Sequence, residues 1–317
     1  MRADTRTWFS RRTSTAGDWP VEALADRKGS TSVAVVLPAL NEEETVGTIV
    51  ERIVTLADQT RLIDDIVVVD SGSTDRTAER AAAAGARVAH RDDIVPDLPS
   101  RPGKGEVLWR SLHATTADIV VYVDADLTDF RPHYVTGLLG PILSDPTVHL
   151  VKAFYDRPLA GVSPVGGGRV TELTARPLLN AFLPELAGVV QPLAGEYAGR
   201  RSLLERLPFA PGYGVETGIL IDTVLAHGID AVAQVDLGER GHGHQDTAAL
   251  GRMAATIIQT LTARIGPARP EGHELVQFSR VEGEVVPVTW DIPWEERPPM
   301  ISLPSYQALR KTSPSLS

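Results

Sequence analysis

The chain reads as an α/β protein built on a doubly wound, mostly parallel sheet, and two observations carry that reading. Residues 33–37, 65–70 and 119–123 are short runs dominated by valine, isoleucine and leucine. Near-continuous apolar runs of this length suit strands covered on both faces, as in parallel sheets. Segments with helical periodicity separate them, so strand and helix alternate four times before residue 126. Such alternation is the pattern of a Rossmann-like half with helices on both sides.

The first strand, 33–37, is stopped by Pro38, and residues 42–57 form a helix with Val46, Ile49, Val50 and Ile53 on one face. A second strand spans 65–70. The next helix begins at 73–77, with Ser73 as its N-cap and Asp75 near the dipole, and ends by Gly85. A short third strand covers 86–89, and a loop with Pro96, Pro99 and Pro102 leads into a helix over 104–115. The strand 119–123 then runs into Asp124 and Asp126. Beyond it the pattern predicts helices at 132–143, 169–182, 219–226 and 251–262, with strands at 148–154 and 229–237. Residues 1–30 are polar and aperiodic, read as a loosely held arm whose Trp8 and Trp19 could dock on something. Residues 264–317, rich in proline and polar side chains, read as a wrapping tail or an oligomer arm.

At 317 residues the chain can bury a large core. Its net charge of −10, from 31 basic and 41 acidic residues, argues against general nucleic-acid binding but allows a local positive pocket. Cysteine is absent, which excludes disulfides, thiolate metal sites and cysteine nucleophiles and is compatible with the cytoplasm. Arg11-Arg12 is followed by no apolar run, so an export signal is rejected, and no stretch approaches a membrane span.

Ligands of open α/β sheets bind beyond the carboxyl ends of the strands. Asp124 and Asp126 lie there, two apart and able to face one side, as a divalent cation with a diphosphate would require. An acidic turn closing a core strand is the alternative. Asp70 and Ser71 end the second strand and are candidates for a base or ribose. Neither a Gly-x-Gly-x-x-Gly after the first strand nor a P-loop is present, which disfavours dinucleotide cofactors. Lys104, between Gly103 and Gly105 at a helix start, is read as a phosphate contact. Gly166-Gly-Gly168-Arg169-Val-Thr171 is read as a cradle for carboxylate or phosphate, against a plain flexible lid. Tyr213 and Glu216 offer an aromatic and a carboxylate, while Arg240, His242 and His244 share a glycine loop suited to metal or phosphate.

In this order the motifs Val-Val-Leu-Pro38-Ala-Leu-Asn-Glu-Glu, Asp70-Ser-Gly-Ser-Thr-Asp, Arg101-Pro-Gly-Lys-Gly-Glu and Asp124-Ala-Asp126 resemble GT-A glycosyltransferases. With Gly166-Gly-Gly-Arg-Val-Thr-Glu172, Gln191-Pro-Leu-Ala-Gly-Glu-Tyr197 and Pro208-Phe-Ala-Pro-Gly-Tyr-Gly-Val-Glu216, the chain is similar to the actinobacterial glucosyl-3-phosphoglycerate synthases, from about Trp19 to Met300. The resemblance implies a GT-A fold and a retaining transfer of glucose from UDP-glucose to the 2-hydroxyl of 3-phosphoglycerate. It also implies Mg²⁺ (or Mn²⁺ or Co²⁺), a homodimer, and a role in methylglucose lipopolysaccharide or glucosylglycerate synthesis. Residues 31–130 would form the nucleotide-sugar half and 131–263 the acceptor-binding and catalytic half of one domain.

Carried over residue by residue, Pro38, Ala39, Leu40, Glu42 and Ser71 would hold uridine and ribose. Lys104 and Asp124 would contact the donor, Arg240 the diphosphate, and Asp126 with His242 the metal. Gly168, Arg169 and Thr171 would take the acceptor, with Tyr213 and Glu216 close to the sugar. His244 stands where the family often has asparagine, which would make acceptor affinity pH-dependent if it touches the phosphate. The competing expectations are a mannosyl-3-phosphoglycerate synthase using GDP-mannose and a sugar-phosphate nucleotidyltransferase. The latter wants a basic, glycine-rich signature where Pro38-Ala-Leu-Asn-Glu stands.

Overall fold

A strand walled in by helices on both faces must be apolar at every position, and the valine runs fold accordingly. In the computed structural model, Val33, Val35 and Leu37 pack into one core layer while Val36 packs into the other; Ile119, Val121 and Val123 likewise oppose Val120 and Tyr122. Each such side chain taken fully from water contributes about 1.5–3 kcal/mol. The structure describes residues 1–156, 168–240, 246–266, 274–281 and 284–312.

In chain order the strands are β1 (Thr13–Thr15), β2 (Val33–Ala39), β3 (Asp65–Asp70), β4 (Arg87–His90), β5 (Ile119–Tyr122), β6 (Leu150–Asp156), β7 (Tyr197–Arg200), β8 (Val232–Glu239), β9 (Glu274–Val281) and β10 (Glu284–Asp291). The helices are α1 (Ala3–Arg12), α2 (Val21–Lys28), α3 (Val46–Thr60), α4 (Thr77–Ala83), α5 (Lys104–Ala114), α6 (His133–Ser144), α7 (Arg176–Phe182), α8 (Arg201–Leu204), α9 (Val215–His227), α10 (Thr247–Ile265) and α11 (Pro304–Thr312). Eight strands form one sheet in the order β1-β8-β6-β7-β5-β2-β3-β4, and β9 and β10 form a separate antiparallel pair.

All pairings in the large sheet are parallel except those of β7, which runs antiparallel to both β5 and β6. This reversal places the start of β7 at the carboxyl ends of its neighbours. Tyr197 lies opposite Tyr122 on one side and Lys152 on the other. The segment just before β7 therefore enters the same crevice as Asp124.

Three expectations are corrected. Residues 1–30 are not a loose arm in the structure. α1 docks through Trp8, 2% exposed, whose indole N–H donates to the Val232 carbonyl; β1 adds an edge strand to β8; and Trp19 packs over Gly140. The apolar anchors here are single tryptophans, so periodicity could not announce them. Second, Ser73 does not cap a helix: α4 starts at Thr77, and Ser73 Oγ accepts the Asn41 N–H. Third, the strand and helix limits after residue 143 shift, with the helix predicted at 219–226 beginning at Val215 and the strand predicted at 229–237 running from Val232 to Glu239.

The described part of 264–317 wraps back onto the domain. Phe209 and Arg297 exchange backbone hydrogen bonds, and Tyr306 is fully buried. Arg297 grips Glu106 of α5 through two contacts of 2.6 and 2.8 Å, while Glu106 also accepts from Arg110 at 2.6 Å. Arg110 in turn donates to the carbonyls of Ile94, Val95 and Leu98, fastening the proline-rich loop. One carboxylate between two buried guanidinium groups thus joins tail, helix and loop.

Breaking such a buried pair leaves a charge without its partner. Arg297→Ala should destabilise the chain by about 3 kcal/mol, read as a lower denaturation midpoint in urea at unchanged slope.

Candidate active site

The carboxyl ends of β2, β3 and β5 meet in one crevice, because parallel strands in register end together. Pro38 and Ala39 close β2, Leu40 and Glu42 follow it, and Ser71 follows β3. Asp124 and Asp126 lie just beyond β5, and Arg240 just beyond β8. Lys104 opens α5, and Glu216 sits in the first turn of α9, after Tyr213. Gly103, with φ of 102°, turns the chain into α5 in a conformation that a side chain would resist.

The loop after β2 is laced to the loop after β3. Ser73 Oγ, Thr77 Oγ1 and the Asp75 carboxylate accept the backbone N–H groups of Asn41, Glu42 and Glu43, and Thr74 donates back to Asn41. Asp75 also accepts from Thr77, and these hydrogen bonds hold its carboxyl below the usual range. Ser71 accepts from Arg91 at 3.1 Å. The lacing fixes Glu42 and Leu40 at the rim, where Leu40 is 53% exposed.

Charge dominates the centre. Lys104 Nζ lies 2.5 Å from Asp124 and 2.9 Å from Glu216. Arg240 reaches Asp124 at 3.3 Å and Asp126 at 3.2 Å with one nitrogen, and with the other donates to the Tyr155 hydroxyl at 2.6 Å and approaches Glu196 at 3.4 Å. Burial alone would raise the Asp124 carboxyl, but Lys104 and Arg240 more than offset it and hold it at about 2. Burial would likewise neutralise Lys104, yet Asp124 and Glu216 keep it charged well above the usual lysine range. Burial raises Glu196, with Arg240 opposing.

Asp126 differs from Asp124 in its exposure. Its side chain is 59% exposed against 19%, with one contact to Arg240. Nearby, the Glu42 carboxyl is raised to about 7 by burial and by the negative charges of Asp126, Asp75 and Asp124. The exposed carboxylate of Asp126, with Asp124 two residues away, offers oxygen donors of the kind a hard divalent cation takes. Among the described residues no group of three or more histidine, aspartate or glutamate side chains forms a ready metal cluster, and His242, the second expected ligand, lies outside the described residues. His244 does too.

Of the expected acceptor residues, Gly168 is half-buried, Arg169 exposed and Thr171 buried at the start of the helical stretch leading into α7. This stretch packs through Val170 and Ala175 against Ile257 of α10 and against Leu193, within the turn of residues 191–196 that borders Asp124. Gly166 and Gly167 lie outside the described residues. Sequence reasoning missed Lys152, Tyr155 and the reach of Glu196. The available signal was a lysine inside the apolar run Leu150-Val-Lys-Ala-Phe154.

Comparison with known proteins agrees with this geometry. The glycosyl transferase family 2 model matches residues 34–183. The glucosyl-3-phosphoglycerate synthase of Mycolicibacterium paratuberculosis is 49% identical over 94% of this chain and 93% of its own. A crystal structure of the Mycobacterium tuberculosis enzyme of that name, with Mn²⁺, UDP-glucose and phosphoglyceric acid, superposes with a TM-score of 0.81 at 48% identity, covering 89% of this chain and 94% of that one. Another, with Mg²⁺ and UDP, gives a TM-score of 0.83 at 48% identity, covering 91% and 97%. Among the described residues no helix is long and apolar enough to cross a membrane.

A carboxyl raised on folding costs stability once pH exceeds its unfolded value, and the cost grows until the folded value near 7 is passed. Glu42→Gln should therefore raise the melting temperature of the ligand-free chain at pH 8, with the gain fading toward pH 5 in scanning calorimetry.

Proposed function

The chain belongs to the glucosyl-3-phosphoglycerate synthase family, and on that premise we propose that it moves glucose from UDP-glucose, with retention, to the 2-hydroxyl of 3-phosphoglycerate. The observation that carries the reading is the Lys104–Asp124–Arg240 cluster at the carboxyl end of β5. It sets two fixed cations, themselves held by carboxylates, where a departing diphosphate gathers charge. Preorganised charge of this kind stabilises the leaving group without reorganising during the reaction. A nucleotidyltransferase would want its basic signature directly after β2, where Pro38-Ala39-Leu40 lies instead.

Pro38, Ala39, Leu40, Glu42 and Ser71 would line the uridine and ribose. Asp126, with Asp124 beside it, and His242 would hold the divalent cation, which when bound adds positive charge at the diphosphate. Lys104 and Arg240 orient the donor from the protein side. Gly168, Arg169 and Thr171, with His244, would receive the carboxylate and phosphate of the acceptor at a helix start. Glu216 is 4% exposed and engaged with Lys104, an arrangement that favours positioning of sugar hydroxyls over nucleophilic attack. The donor half would span 31–130 and the acceptor half 131–263, and a cytoplasmic setting belongs to the same reading.

Purified protein assayed with UDP-glucose and GDP-mannose side by side should form product chiefly from UDP-glucose; faster mannosyl transfer would overturn the donor assignment. Asp126→Ala should lower kcat by about 10²–10³-fold with the fold retained by circular dichroism, and native turnover in that variant would refute the metal role. Arg169→Ala should raise the KM for 3-phosphoglycerate about tenfold, the loss of roughly one charge-assisted hydrogen bond, and leave the KM for UDP-glucose unchanged.

A further inference from the structure

Lysine is almost never buried without a carboxylate partner, yet Lys152 of β6 is 1% exposed and is met by a carbonyl and an aromatic ring. Its ammonium donates to the Ala194 carbonyl at 2.5 Å and stands 4.9 Å over the Tyr197 ring. Neither contact replaces the lost hydration of an ion, which costs several kcal/mol. Burial, assisted by the charge of Lys104 and opposed by Glu216, Glu196 and Asp124, brings its pKa down to about 8. A merely space-filling position in this strand would be met by leucine or methionine.

The carbonyl it holds belongs to the turn that borders the reacting centre. This turn, residues 191–196, is fastened to β6 at four points. Gln191 donates its side-chain amide to the Tyr155 carbonyl at 2.5 Å, Lys152 donates to Ala194, Ala153 donates its N–H to the Glu196 carbonyl at 3.1 Å, and Tyr155 donates its hydroxyl to the Glu196 carboxylate at 2.9 Å. Between the fastenings at Ala194 and Glu196 lies Gly195. A Cβ there would fall 2.2 Å from Asp124 Oδ2 and 2.6 Å from Lys104 Nζ, so the bare backbone is packed directly against that ion pair. Any drift of the turn moves the floor on which Lys104 and Asp124 rest.

The turn lies beside a linked set of charges, in which Lys104 meets Asp124 and Glu216 while Arg240 meets Asp124, Asp126 and Glu196. We infer that Lys152 is a positioning residue for the transfer step: it pins the Ala194–Gly195 turn against the Lys104–Asp124 pair.

This inference rests on the glucosyl-transfer reading, and native turnover of UDP-glucose is the control for that reading. If the native chain is inert, the reading falls and the inference with it. Lys152→Met keeps the apolar length of the side chain and removes the donor and the charge. Its kcat should fall on the order of 10²-fold, the size expected when catalytic groups are displaced by a fraction of an ångström to one ångström. The dissociation constant for UDP with Mn²⁺, measured by calorimetry, should stay within about threefold, because a mispositioned group loses transition-state rather than ground-state stabilisation. Lys152→Gln, which retains an N–H donor on a shorter arm, should show the same split with a smaller loss, and it decides the matter if the methionine variant does not fold. A kcat equal to native in either variant, or UDP affinity and melting temperature lost in step with kcat, would overturn the positioning role.

Discussion

Lys104 has given up most of its hydration, and its charge survives only because Asp124 lies 2.5 Å away on one side and Glu216 2.9 Å away on the other. That pairing constrains everything around it. Asp124 must come from the end of a central strand, Lys104 from the start of a helix packed on the sheet, and Glu216 from the start of another. Three elements far apart in sequence are thereby fixed to one point. A buried ion set of this kind is a poor source of net stability, since desolvation consumes much of the attraction. Its value is geometric: the charges stay put when a substrate arrives.

Rigidity around the centre is layered. Arg240 is held by Tyr155 and Glu196, so that its other nitrogen can face Asp124 and Asp126. The loop that presents Glu42 is held by the side chains of Ser73, Asp75 and Thr77. Even the tail takes part: Glu295 pairs with Arg101, three residues before Lys104; Glu296 pairs with Arg264 of α10; and Arg297 pairs with Glu106, two residues after Lys104. Two of these three consecutive residues therefore steady the helix start that carries the lysine, and the one between them holds α10. Asp126, Leu40, Arg169 and Tyr213 are exposed by contrast, on the side from which a ligand enters.

Much of this was legible in the residues themselves. Valine runs bounded by turns specify strands buried on both faces, because an exposed face would need alternating polar residues. Chemistry-bearing residues gathered at the ends of those runs mark the crevice, because parallel strands end together. Asp124 and Asp126 were read on that reasoning, Lys104 from its glycine setting at a helix start, and Arg240 as a diphosphate contact from the family resemblance. The same reasoning failed where local pattern is silent. Trp8 and Trp19 are single anchors with no period around them, and the first thirty residues were read as loose for that reason.

What the chain alone determined is its layer architecture, the crevice, and which residue types could serve there, since these follow from local periodicity and short spacings. Only the tertiary structure decided how the charges are paired, because strand order is set by long-range packing that no window of sequence contains. The reversed strand β7, inserted between β5 and β6, is the clearest case. It brings Gly195 under Asp124, Glu196 to Arg240 and the Ala194 carbonyl to a lysine that sequence reading took for an ordinary strand residue.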